Sequence, residues 1–75
     1  MGIGDALKEI RTGQGMSQST LAKESGFTQV SISRIETGNQ DPSFTTLERL
    51  AKAMGVPVST LVRKAESGEG RKRKP

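Results

Sequence analysis

Cysteine and histidine are both missing from this 75-residue chain. Their absence excludes disulfides, zinc sites built from Cys and His, and thiol catalysis. It also removes the usual acid–base group of neutral pH. No long apolar run is present, which argues against a membrane span or a secretory signal. Large apolar residues are scarce: 5 Leu, 4 Ile, 4 Val and 2 Phe make a fifth of the chain, at the border where disorder becomes plausible. A chain this short forms one small domain with a small core, so a fold must concentrate those few residues. The expected setting is soluble, reducing and cytoplasmic, with no metal, no cofactor, no membrane contact and no small-molecule ligand. The 8 carboxylates are scattered, with no nucleophile–base pair and no glycine-rich phosphate loop, so an enzyme is not expected.

The net charge of +4 is unevenly placed. Residues 68–75 hold Arg71, Lys72, Arg73 and Lys74 against Glu69 alone, a net +3, which leaves +1 for residues 1–67. A high pI by itself suggests nucleic acid, but here it mostly reports the tail. Any case for DNA binding must rest on the residue pattern of the body.

Gly and Pro punctuate that body at Gly13, Gly15, Gly26, Gly38, Pro42, Gly55 and Pro57. Between these marks apolar residues follow helical spacing and not alternation. The stripes are Ile3, Leu7, Ile10; then Leu21 and Ala22; then Ile32 and Ile35. Phe44, Leu47, Leu50, Ala51 and Met54 make a fourth, and Val58, Leu61, Val62 and Ala65 a fifth. Ser17, Thr28 and Ser43 stand where an N-cap hydroxyl belongs, and Gly38 and Gly55 where a left-handed C-terminal residue belongs. Pro57 suits a first helical turn. The pattern predicts an all-α, compact five-helix domain over 1–66, with helices near 4–13, 18–25, 29–37, 44–54 and 58–66. Residues 67–75 lack apolar groups and are expected to form a flexible basic tail.

The informative segment runs from Gln18 to Ile35. A small Ala22 suits the point where two helices cross steeply. Gly26 suits a tight turn that needs one residue at positive φ. Ile32 and Ile35 give the second helix a buried face. At roughly 100° per residue, with Gln29 at zero, Ser33, Thr37, Val30 and Arg34 fall at about 40°, 80°, 100° and 140°. Ile35 and Ile32 fall opposite, at about 240° and 300°. Gln can pair with adenine N6 and N7, Arg can fork to guanine O6 and N7, and Val can meet a thymine methyl. The alternative is a solvated face with an incidental valine.

The stretch SQSTLAKESGFTQVSISRIETGNQDPSFTTLERLAKAMGV resembles the Cro/CI-type (xenobiotic-response-element-like) helix-turn-helix family. The pattern that carries the likeness is SQxxLA, then G, then ISxxE, then G, then PSxxTLxxLAxxxGV. The resemblance implies a five-helix DNA-binding domain, typically a dimeric transcriptional repressor, whose partner is double-stranded DNA. It implies that helix 29–37 is the recognition helix, with Gln29, Val30, Ser33 and Arg34 nearest the bases. Gln18 and Thr28 would hold phosphates at helix N-termini. Thr37, Asn39, Gln40, Ser43 and Thr45 would do so around the following loop. Ser17, Thr28 and Ser43 serve equally well as plain helix caps. Similar proteins pair an arginine late in the first helix with the glutamate at this position, which implies an Arg11–Glu36 ion pair. The alternative is two solvated charges. Two positions depart from the family pattern: Pro57 replaces a polar cap, and Val30 a polar residue.

Val58, Leu61, Val62 and Ala65 have two readings, the closing wall of the core or a two-fold homodimer seam. The basic tail could follow phosphates or enter a minor groove, or serve only solubility. A protein-interaction module such as an antitoxin is the competing function, weakened by the lack of an added interaction segment. For a DNA-binding chain the expected location narrows to the nucleoid.

Overall fold

The computed structural model describes the backbone of residues 2–73 and the side chains of residues 2–66. Five helices follow one another: α1 (Ile3–Gly13), α2 (Gln18–Ser25), α3 (Gln29–Thr37), α4 (Phe44–Ala53) and α5 (Val58–Arg73). The first four agree with the apolar spacing to within a residue at each end. The fifth starts at Val58 as expected, with the Pro57 carbonyl accepting from the Thr60 N–H at 2.9 Å. It continues past residue 66, where the sequence holds no large apolar residue by which periodicity could have marked a helix. The basic arm read at 67–75 falls outside the residues whose side chains are described.

Hydroxyl caps start three of the helices. Ser17, Thr28 and Ser43 accept from the N–H groups of Thr20, Ser31 and Thr46 at 3.0–3.1 Å. Each cap satisfies an amide that the helix itself leaves without a partner.

The four connections reuse one turn. In each, an N–H bonds back five residues: Met16 to Arg11, Phe27 to Ala22, Asn39 to Arg34 and Val56 to Ala51, at 2.9–3.1 Å. The residue before that N–H is a glycine at positive φ, which at Gly26 and Gly38 reaches +80° and +85°. This helix ending favours an apolar residue after the glycine, packed on the helix it closes. Met16, Phe27 and Val56 do pack against the core. The fourth position is Asn39, which is polar and exposed.

The centre of the core contains Leu7 from α1, Leu21 from α2, Ile32 and Ile35 from α3, Leu50 from α4 and Leu61 from α5, all essentially inaccessible to water. Every helix contributes, which is how so small an apolar complement holds five elements. Each such side chain contributes about 1.5–3 kcal/mol by leaving water.

One expectation needs correction, and one pair of alternatives divides. Leu61 is fully enclosed, which is the core-wall reading of that residue. Phe44 stands in the apolar stripe of α4, yet it is 60% exposed. It is the first residue of α4, and side chains tilt toward the helix N-terminus, so Phe44 overhangs the end of the core.

Backbones also meet closely. Gly4 of α1 lies so near the end of α3 that an added methyl would strike the Ile35 carbonyl oxygen. Among the described residues no helix is long and apolar enough to cross a membrane.

Candidate nucleic-acid interface

The pair α2–α3 is built by its turn. Ala22 is buried in the core, and Gly26 ends α2 in a left-handed conformation. Thr28 caps α3 only two residues later. The chain thus turns sharply in three residues, and the first turns of both helices come within side-chain reach of each other. That proximity is visible in side chains: the Ser19 Oγ donates to the Gln29 Oε1 at 3.0 Å, and the Gln29 Nε2 donates to the Gln18 Oε1 at 3.4 Å.

The two faces of α3 divide as its sequence pattern requires. Ile32, Ile35 and Glu36 are buried. Gln29, Val30, Arg34 and Thr37 are exposed, and Ser33 is half-buried. Val30 is 60% exposed, and with Phe44 it is one of two large hydrophobic side chains so placed among the described residues. The Arg34 guanidinium engages no carboxylate among the described residues. An amide, an isopropyl group, a hydroxyl and a guanidinium therefore share one accessible strip. This is the chemistry that base edges in a major groove can meet.

Behind the strip lies a buried charge pair. The Arg11 Nε and Nη2 donate to the two Glu36 carboxylate oxygens at 2.6 and 3.0 Å. Arg11 Nη1 also donates to the Met16 carbonyl at 2.6 Å, which fastens the end of α1 to its following loop. The Gln18 Nε2 donates to Glu36 as well, at 3.0 Å. Both charged residues are about 7% exposed, and among the described residues no buried side-chain nitrogen or oxygen lacks a partner. The pair joins α1, α2 and α3 through one carboxylate. Its bidentate, fully bonded geometry offsets the desolvation that such pairs carry.

The remaining candidate residues surround the strip. Gln18 is half-buried and already engaged at both ends of its amide. Thr28 and Ser43 are exposed and act as helix caps. The Thr37 hydroxyl turns back to the carbonyls of Ser33 and Arg34 at 3.0 and 3.2 Å and accepts from the Asn39 amide at 3.2 Å. Asn39, Gln40 and Thr45 are exposed. Of the proposed seam residues, Val58, Val62 and Ala65 are partly exposed on α5, while Leu61 is internal.

Three contributors escaped the sequence reading. Ser19 touches Gln29 across the helix crossing, and no spacing rule links residues ten apart on different helices. Arg49 reaches from α4 to the turn and donates to the Ser25 carbonyl at 2.9 Å. Gln14 donates to the Met54 carbonyl at 2.8 Å and ties the ends of α1 and α4. In sequence all three look like ordinary surface polar residues.

Known proteins share this arrangement. The helix-turn-helix family HTH_3 matches residues 7–61. The HTH-type transcriptional regulator PuuR of Escherichia coli is 43% identical over 56 residues, which cover 75% of this chain and 30% of PuuR. The chain thus spans less than a third of that relative. The competence pilus inhibition repressor of Acinetobacter baylyi is 42% identical over 67 residues, 89% of this chain and 61% of the repressor. Among solved structures, SinR, described as the master regulator for biofilm formation in complex with DNA, superimposes with a TM-score of 0.75 at 36% identity. That superposition covers 80% of this chain and 97% of the SinR chain. From its fold, its turn and its sequence, the chain belongs to the Cro/CI-type helix-turn-helix family.

Proposed function

We propose that this chain is a sequence-specific DNA-binding transcriptional regulator, acting as a repressor, that lays α3 in the major groove. Gln29, Val30, Ser33 and Arg34 face base edges. Gln18, Thr28, Thr37, Asn39, Gln40, Ser43 and Thr45 surround them and meet the phosphate backbone. The observation that carries the reading is the division of α3: two isoleucines closed into the core, and Val30 held 60% exposed between Gln29 and Arg34. A valine kept in water on an otherwise polar strip suits a thymine methyl. Asn39 adds support, because the loop after α3 is the one connection without an apolar anchor on the core. The relatives named as regulator and repressor, and the SinR–DNA structure, agree with it.

The active form in this reading is a homodimer closed through the partly exposed α5 face of Val58, Val62 and Ala65. Two-fold symmetry would set two recognition helices about 34 Å apart and require a near-palindromic operator. The nearly neutral body makes backbone contacts depend on amides, hydroxyls and helix ends more than on lysines. Such contacts release few counterions and give a moderate salt dependence.

Selection of binding sites from random duplex DNA by the purified chain tests both statements. Enrichment of a near-palindromic site supports the reading. Equal recovery of all sequences sinks it, and enrichment of a lone half-site sinks the dimer.

A further inference from the structure

Val30 differs in kind from the rest of the outward strip. Gln29, Ser33 and Arg34 each end in a group that can donate or accept a hydrogen bond. Val30 has neither, is 60% exposed and lies outside the core cluster. Its side chain is also stiff. Branching at Cβ leaves essentially one χ1 rotamer in a helix, so the isopropyl group stands in one direction. It belongs to the first turn of α3, which the Thr28 cap and the left-handed Gly26 hold against α2. A rigid apolar knob is thus presented to water, among polar neighbours.

We propose that Val30 reads a methyl group and not a base, so that 5-methylcytosine serves in place of thymine and cytosine-5 methylation of the duplex governs binding. The inference rests on α3 lying in the major groove, and it goes beyond a thymine contact. In that groove thymine differs from cytosine in two ways: an O4 acceptor replaces the N4 amino donor, and a methyl group stands on C5. An isopropyl group cannot tell the acceptor from the donor, because it bonds to neither. It responds only to the methyl. 5-Methylcytosine carries that methyl on the same ring carbon, at the same place in the groove. Uracil and plain cytosine both lack it. Taking one methyl-sized group out of water is worth about fourfold in affinity, whichever ring carries it. The ligand class is therefore a duplex with a 5-methylpyrimidine at the Val30 position of each half-site.

The test uses the full chain and its V30S variant. Val30 is exposed, and serine and valine have similar helix propensities, so V30S keeps the fold. Site selection from random duplexes first locates the position at which V30S ceases to select thymine. That position is then made thymine, uracil, 5-methylcytosine or cytosine in otherwise identical duplexes, each with its matching purine opposite, and affinities are titrated. Thymine should bind about fourfold tighter than uracil, and 5-methylcytosine tighter than cytosine by the same factor. In V30S both ratios should fall to about one, while the preference opposite Arg34 stays as in the parent chain. Equal binding of thymine and uracil by the parent chain overturns the proposal. So does a methyl effect on uracil with none on cytosine, which would tie the contact to the rest of the base. Ratios that persist in V30S assign the methyl to another residue and overturn it too. If V30S selects the same site as the parent chain, Val30 reads nothing, and this proposal fails while DNA binding stands. A parent chain that enriches nothing overturns the functional reading as well.

Discussion

The guanidinium of Arg49 lies 4.5 Å from the centroid of the Phe27 ring. The same group donates to the Ser25 carbonyl at 2.9 Å. Between these two partners sits Gly26, where an added Cβ would come within 2.5 Å of the Arg49 Nη2. A side chain of α4 therefore clasps the turn that sets α2 against α3. The clasp lies on an exposed side chain, so each contact contributes modestly. Arg49→Ala should lower stability by about 1 kcal/mol through loss of the cation–π contact and the hydrogen bond. For a domain of this size that lowers Tm by about 4–8 °C in a thermal melt. An unchanged Tm would show the clasp to be idle.

Removing one member of the buried pair leaves the other charge without a partner. Arg11→Met should cost about 3–5 kcal/mol. Converting both residues, Arg11→Met with Glu36→Leu, should cost clearly less than the single change. Denaturant titration of the three chains makes the comparison, and a double variant as unstable as Arg11→Met would contradict it.

Gly4 and Gly13 both lie in α1, and opposite outcomes are expected for them. At Gly4 a methyl meets the Ile35 carbonyl, a backbone atom that cannot swing aside. Gly4→Ala should cost about 1–3 kcal/mol. At Gly13 nothing lies within 4 Å of the added carbon. Gly13→Ala should be neutral or slightly stabilising, as alanine restricts the unfolded chain. Equal melting curves for the two variants would refute the close approach of α1 and α3.

Arg34→Ala should cost about 1–3 kcal/mol on the selected site and relax preference at one base pair. Binding to random DNA should hardly change. Competition titrations with specific and random duplexes provide the measurement. Equal losses on both would assign Arg34 to a phosphate.

Deleting residues 71–74 removes four of the 12 basic side chains. If the tail follows phosphates, affinity should fall alike for all sequences, and the slope of log K against log salt should become shallower. Identical affinities at two salt concentrations would leave the tail with a solubilising role only.

Much of the fold was legible because its signals are local. A hydroxyl before a helix, a glycine after it and an apolar residue every three or four positions are each decided within a few residues. Hence the caps at Ser17, Thr28 and Ser43, the turn at Gly26 and the buried Ile32 and Ile35 could be read directly. The exposure of Phe44 and the choice between the two readings of Leu61 were out of reach for one shared reason. Spacing gives the face of a helix but not how far along its length a neighbour covers that face. At Phe44 cover is lacking, and at Leu61 it is complete.

The same division applies to the site. By itself the sequence determined the five helices, the turn and the outward strip of Gln29, Val30, Ser33 and Arg34, because helical periodicity fixes direction around an axis. Tertiary structure alone decided that Ser19 meets Gln29, that Arg49 clasps the turn and that Gly4 abuts Ile35. Those contacts join residues of different helices, and their existence depends on crossing angles and separations that arise only once all five helices share one core.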